Sequence, residues 1–472
     1  MPAEAWWVAA ATVVAAVLWT RELAAPLFVD EAASWTVAAQ DTWGGFWGLL
    51  HRQEIAPPPF YLGLRAVVHG LGADGHSAMR LPVVVASLPV VPFGALLARR
   101  IGATPFGVAA TGWLLALSPL LLQHGQQVRA YGPAAAAAVA AAVLLLTAAE
   151  RRWTARWTAA AGIATAGAVW VHYLAAPPLA VLAVGLLWRA PAAPRLRMAV
   201  LVLPAWLAAA LYARSQYGHA GAGVDGATDL GGLDLERVLA TAWQGRVADD
   251  PLPRIAGIAA LALALVLLAG GSWRRRLVLL AGLSGPALIV AVSALGPDIV
   301  TSRYLVPAAP FLLAGIGAAL TARPLPIAVA VALSAAATLG TLHQLDPQRG
   351  RYADIEAQIA GIGDLPPGAV VASRDASHAL YRPAYVGARM GSPRVEGAWG
   401  RWAVRQAACD RRIVRQLVPS GVSPEPMLAW WRAAGYAARV RPTATPGIDV
   451  VIANPPPTGA PHRCPDAAPP GW

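Results

Sequence analysis

The sequence predicts a polytopic α-helical membrane protein of about eleven spans, carrying a small α/β domain at its C-terminal end outside the membrane. Three observations predict it. Of 472 residues, 57% are hydrophobic and 13% charged, with a mean hydropathy of +0.51, whereas a soluble domain of this size carries about a quarter charged residues. Apolar runs long enough to span a bilayer recur up to residue 341. Arg clusters fall at every second loop between those runs, the pattern that cytoplasmic loops impose.

The candidate spans are 5–20, 80–98, 104–122, 132–149, 157–175, 176–189, 198–213, 255–270, 276–295, 303–321 and 324–341, the fifth and sixth nearly continuous. Ala5 to Thr20 has no basic residue ahead of it and no small-residue cleavage site behind it, so it reads as a retained first helix and not as a signal peptide. Arg99–Arg100, Arg151–Arg152 with Arg156, Arg189 with Arg195 and Arg197, Arg274–Arg276, and Arg323 mark the cytoplasmic loops. The N-terminus is then cytoplasmic and the protein belongs in the plasma membrane. The segments 21–79, 123–131, 172–176, 214–254, 296–302 and everything past 342 fall outside. The net charge of +12 comes entirely from Arg, with no Lys. It is dispersed among membrane loops and not gathered on one face, which excludes nucleic acid as the partner.

The first outer segment, 21–79, is long and semi-apolar. Trp43, Phe46, Trp47, Leu49 and Leu50 predict an amphipathic helix at the membrane interface, with a second over Pro59 to His69. The chain divides at 341/342. Residues 342–472 carry more charge and Pro and no spanning run. Helices are expected at Asp354–Ile362, Arg401–Leu417 and Pro426–Ala434, and strands at Ala369–Ser373 and Asp449–Ala453, making a small α/β domain. Cys409 and Cys464 suit no metal motif. In an oxidising compartment they form one disulfide; two free thiols is the alternative.

The chemistry gathers at the outer face. The first loop offers Asp30, Glu31, His51, Glu54 and Tyr61; the second offers Gln126, Arg129 and Tyr131; the third offers His172 and Tyr173; a later one offers Asp298, Arg303 and Tyr304. Acids, amides, Arg and Tyr converging at one face form a polar cavity suited to a lipid-phosphate donor. Arg129 and Arg303 can grip a phosphate through charge-assisted hydrogen bonds. A carboxylate can take the proton of an acceptor hydroxyl as its oxygen attacks a sugar carbon. The bland alternatives are an N-cap for Asp30, snorkelling for the Arg residues and interfacial anchoring for the Tyr residues. Adjacent carboxylates are by themselves a weak metal signature.

The ordered motifs VDEAASW, EIAPPPFYLGL, SAMRLPVVV, LSPLLLQHGQQVRAY, VHYL and SRYLVPAAPFLL resemble the GT-C superfamily of membrane glycosyltransferases. The resemblance is to the bacterial branch similar to protein O-mannosyltransferases and lipid A aminoarabinose transferases, and it covers most of residues 1–340. It implies an inverting transfer of a mannose- or arabinose-type sugar from a polyprenyl-phosphate donor to a protein, lipid or cell-wall glycan. In that reading Asp30 is the catalytic base, supported by Glu31. Glu54, Tyr61, Arg80, Gln126, Arg129, Tyr131, His172, Tyr173, Arg303 and Tyr304 bind the donor. If a divalent ion such as Mg or Mn takes part, Asp30 and Glu54 are the residues to hold it. Two departures stand out: Gln127 replaces a frequent Glu, and Ala56 a frequent His. Both remove ionisable groups and leave Glu54 as the second acid. A transporter or lipid flippase is the competing class. It would place charges or broken helices near the bilayer midplane and repeat internally. A polymerase or ligase of whole glycans is a third reading.

Overall fold

The computed structural model describes residues 2–21, 23, 29–70, 76–220, 255, 258–259, 271–295, 302–320, 338, 370–373, 396–399, 408–409, 413–419, 423–442, 448–457 and 464. The chain forms two compact units: Met1–Ala24 with Val37–Asp346, and Ala25–Thr36 with Pro347–Trp472. The division expected at 341/342 therefore falls at 346/347. The acidic segment around Asp30 and Glu31 goes with the C-terminal unit, where composition had assigned it to the helical one.

The helical unit opens with α1 (Ala3–Trp19), and α2 (Val29–Ala38) begins in one unit and ends in the other. Two amphipathic helices follow, α3 (Trp43–Gln53) and α4 (Pro58–Gly70). Thr42 caps α3 by accepting from Gly45 N–H, which is the usual service of a hydroxyl at an N-cap. Phe46 and Leu50 are buried while Trp43 and Trp47 are exposed, as an interfacial helix requires. Arg65 on α4 donates to the carbonyls of Ala38, Gln40 and Asp41 and lies over the Trp43 ring. That side chain staples the turn ahead of α3 to α4.

The bundle proper comprises α5 (His76–Ser87), α6 (Val90–Arg100), α7 (Pro105–Ala116), α8 (Pro119–Gly125), α9 (Tyr131–Glu150), α10 (Ala155–Val171), α11 (Ala176–Trp188), α12 (Ala192–Ala220), α13 (Trp273–Leu295) and α14 (Ala309–Gly317). The Ala-rich α9 is buried along its length and packs against α5, α6, α10 and α11. Four helical stretches among the described residues are long and apolar enough to cross a membrane: Ser77–Arg100, Tyr131–Glu150, Ala192–Gln216 and Trp273–Val292.

Other expected spans are broken, for local reasons. The 104–122 run bends by 54° between α7 and α8. Ser118 caps a new helix there, and Pro119 at its first position cannot extend the old one. The 157–175 run stops at Val171, where extended backbone at His172 leads into a 3₁₀ turn, Tyr173–Ala175. The 303–321 run splits into a 3₁₀ turn, Ser302–Leu305, and the short α14, with Pro307 in between. The spans expected at 324–341 and across nearly all of 255–270 lie outside the described residues, as does the helix expected at 354–362.

At the Arg-rich end, Glu150 accepts from both Arg100 and Arg274. One carboxylate thus joins the ends of α6, α9 and α13. Backbones approach closely between α13 and α14, where a Cβ on Gly282 would stand 2.5 Å from Leu312 N and 2.8 Å from its Cα.

The C-terminal unit holds a five-stranded mixed sheet in the order β2-β1-β3-β5-β4. Its strands are β1 (Val370–Ser373), β2 (Glu396–Trp399), β3 (Val414–Pro419), β4 (Ala437–Pro442) and β5 (Ile448–Asn454). β1 pairs parallel with β2 and β3, and β5 pairs antiparallel with β3 and β4. The helix α15 (Glu425–Ala433) packs Met427, Leu428 and Trp431 into the small core with Val414, Tyr436 and Val451. Strands at β1 and β5 and a helix at α15 match expectation. The helix expected over Arg401–Leu417 is corrected at its C-terminal part: Val414–Pro419 is a strand. It is central, bonded to β1 on one side and β5 on the other, and two ladders outweigh local helix propensity. Cys409 and Cys464 form a disulfide with their Cα atoms 4.6 Å apart.

Gly282→Val should separate α13 from α14, because the obstructing atoms are backbone. A loss of about 1–3 kcal/mol is expected, seen as a lower melting temperature of the detergent-solubilised protein.

Candidate active site

A buried polar cluster occupies the end of the helical unit remote from Glu150. Its first member is Glu54, the residue that ends α3 with its N–H on the Leu50 carbonyl at 3.3 Å. α4 then carries Tyr61 inward. Arg129 comes from the segment between α8 and α9. Its Nη1 donates to Glu54 Oε2 at 2.7 Å and to Tyr61 OH at 3.1 Å. The Glu54 and Arg129 side chains are only 5% and 12% exposed, so this is an interior ion pair where Coulomb attraction is strong and an unpaired charge costly. Glu54 Oε1 is buried without a hydrogen-bond partner among the described residues. That oxygen can accept one further hydrogen.

Around the pair lies a chain of aromatic and imidazole rings. His124 Nδ1 meets Gln127 Oε1 at 2.9 Å. The His124 and Tyr131 rings are 5.6 Å apart, and those of Tyr131 and His172 are 4.8 Å apart. His172 stands in the turn between α10 and α11, outside both helices. Burial, then the positive charges of Arg129 and Arg303, lowers its pKa from 6.5 to about 3. It is therefore neutral at physiological pH. Its Nδ1 accepts the Leu174 N–H at 3.2 Å, which leaves the proton on Nε2 as an uncharged donor. Arg303 comes from the 3₁₀ turn before α14, its guanidinium 5.4 Å from the Tyr304 ring centroid. Tyr173 donates to Gln216 Oε1 at 3.1 Å.

The structure thus gathers Glu54, Tyr61, Arg129, Tyr131, His172 and Arg303, with Gln126 buried at the end of α8. Arg80, expected to bind the donor, is fully buried in α5, and its Nη1 donates to the Leu23 carbonyl at 3.3 Å, which ties down the chain beyond α1. Asp30 lies in the first turn of α2, and its side chain is outside the described residues. Glu31 is buried. Both belong to the other unit. Asp298 is outside the described residues. One cluster member escaped the sequence reading, Gln216, assigned there to a loop. An amide in the last turns of a long apolar helix was the available signal, because lipid offers it no partner.

Among the described residues no group of three or more His, Cys, Asp or Glu side chains is placed to hold a metal ion. Of the two residues expected to hold such an ion, Asp30 has its side chain outside the described residues, and Glu54 has Oε2 on Arg129.

No protein-family model matches the chain, and no curated protein matches it in sequence. Among solved structures it is similar to ArnT from Cupriavidus metallidurans bound to undecaprenyl phosphate, with a TM-score of 0.60 at 15% identity, over 98% of this chain and 100% of that one. The apo state of ArnT gives a TM-score of 0.58 at 16% identity, over 96% of this chain and 98% of that one. This chain shares the fold of ArnT. Its apolar helices make it a multi-pass membrane protein, and the breaks in the 104–122 and 303–321 runs deliver polar residues to one end of the helical unit.

Arg129→Met leaves the Glu54 carboxylate buried and unpaired, and should cost about 3–5 kcal/mol. Adding Glu54→Gln should recover a large part of the loss, which thermal unfolding of the single and double variants will measure. His172 generates a pH dependence as well. Below its ordinary 6.5 the unfolded chain takes up a proton that the folded residue refuses down to about 3. Stability therefore falls as pH drops through that window, and His172→Gln should flatten the fall in a pH series of melting temperatures.

Proposed function

We propose that this protein is an inverting glycosyltransferase that moves a mannose- or arabinose-type sugar from a polyprenyl-phosphate donor to a protein, lipid or glycan acceptor on the extracytoplasmic face. The observation that carries the reading is the buried cluster of Glu54, Arg129, His172 and Arg303 at one end of the bundle. Two guanidinium groups, Arg129 and Arg303, bear on the neutral His172 in this cluster, and guanidinium forks beside a neutral imidazole donor are suited to a phosphate. The anion of a GT-C site sits on a lipid, and ArnT, the protein of similar shape, has been solved with undecaprenyl phosphate.

In the reaction the acceptor hydroxyl oxygen attacks the sugar's anomeric carbon from the face opposite the phosphate. The new C–O bond forms as the bond from that carbon to the phosphate oxygen breaks. The hydroxyl proton passes to a carboxylate, the role given to Asp30 with Glu31 in support. The released polyprenyl phosphate carries the extra negative charge. Arg303 and Arg129 stabilise it, and a preorganised cation in a low-dielectric site is worth more there than in water. His172 Nε2–H offers a neutral hydrogen bond to the same phosphate or to the sugar. Glu54 orients Arg129 through Oε2 and presents Oε1 to a donor or acceptor hydroxyl. The N-terminus is then cytoplasmic and residues 347–472 stand with the acceptor outside.

Asp30→Asn should lower transfer by about 10²–10⁴-fold, measured as conversion of radiolabelled undecaprenyl-phosphate mannose or arabinose in native membranes. Full activity in the variant would remove Asp30 from the base role. No conversion of either donor by the wild-type protein would overturn the transferase reading.

A further inference from the structure

Gln216 is fully buried near the end of α12 and uses both ends of its amide. Nε2 donates to the carbonyl of Leu50 at 3.4 Å and to that of Ala56 at 3.1 Å, while Oε1 accepts from Tyr173 OH at 3.1 Å. Leu50 and Ala56 bracket Glu54. The Leu50 carbonyl also receives the Glu54 N–H. The segment between them is the short non-helical link from α3 to α4, which has no helical ladder of its own across Glu54 to Pro57. A link of that kind is free to shift unless something outside it holds its carbonyls. One turn earlier, the Tyr212 ring lies 6.3 Å from that of His51 in the last turn of α3, so α12 also meets the helix that leads into the link.

We propose that Gln216 is a positioning residue that fixes the Glu54 carboxylate. It clamps the backbone on both sides of Glu54 to the end of α12, and through Tyr173 to the turn that carries His172. The clamp sets where Oε2 meets Arg129 and where Oε1 faces the substrate. This inference rests on the transferase reading for its consequence, but its geometry does not. Gln216 touches no reacting atom. Its loss should therefore act mainly on the rate, because Arg303 and His172 keep their hold on the donor phosphate.

The test compares wild type with Gln216→Met, which keeps length and volume and removes all three hydrogen bonds. In purified full-length protein, hydrogen–deuterium exchange should quicken in peptides covering residues 50–57 and stay unchanged in α9. With whichever of undecaprenyl-phosphate mannose or arabinose the wild type consumes, kcat should fall about 10- to 100-fold, the cost of a displacement of roughly 1 Å, while KM for the donor changes less than about 2-fold. Gln216→Asn keeps the amide one methylene short and should show the same split in weaker form. It replaces the Met variant if that one does not fold. Unchanged exchange at 50–57, or a wild-type kcat, would overturn the proposal. So would exchange that quickens throughout the bundle, which would mark Gln216 as a general stability residue. A wild-type protein that consumes neither donor would sink the transferase reading, and the exchange result would still decide the clamp.

Discussion

Glu54 and Arg129 lie 75 residues apart in the chain, and neither can be buried in an apolar bundle without the other. A lone charge in such an interior costs several kcal/mol after all relaxation. Their pairing therefore forces the link after α3 and the segment before α9 to the same point. Much else at this end follows from that meeting. Tyr61 supplies Arg129 with a second oxygen from the first turns of α4. Arg65, one turn further on, holds the loop ahead of α3. Gln216 holds the link between α3 and α4 from the side of α12. The helices α3 and α4 are amphipathic and could lie on the interface in several registers. These polar ties select one.

The same pairing shapes the electrostatics. An Arg whose charge is already met by a carboxylate is a fixed hydrogen-bond donor more than a free cation, and Glu54 spends one of its oxygens to make it so. Arg303 brings a second guanidinium to the same His172. Burial, helped by both guanidinium groups, keeps His172 unprotonated, so that side chain donates through Nε2 without adding to the field. A site of this kind suits a leaving phosphate whose charge grows during the reaction, because donors are in place before it does.

The opposite end of the bundle is built differently. There Glu150 joins Arg100 and Arg274, Arg99 pairs with Glu4, and Arg195 donates to the carbonyls of Trp188 and Ala190. One carboxylate serves as a structural tie between three helix ends, in half-exposed surroundings where an ion pair is worth about 1 kcal/mol or less. Ionic groups of the same type are thus structural at one end and buried beside a candidate substrate site at the other. Burial makes the difference.

Sequence alone determined which segments are apolar enough for lipid and which carry the polar groups. Apolar runs, Arg spacing and the Trp-bearing amphipathic pattern located α3, α4, α9 and the main spanning helices, since hydrophobic periodicity is a local property. Ser118–Pro119 and Pro307 even carried the breaks that shorten two spans, although run length concealed them. The polar residues of the loops at the Glu54 end of the bundle were legible as a set because polar groups beside lipid are costly. What they bond to was not legible. That Arg80 meets the Leu23 carbonyl, that Val414–Pro419 is strand and not helix, and that Gln216 reaches the carbonyls of Leu50 and Ala56 all depend on partners tens to hundreds of residues away. A carbonyl 166 residues distant from Gln216 leaves no trace in its local sequence. Only the tertiary structure decides such pairings, because only folding brings the two groups within hydrogen-bonding distance.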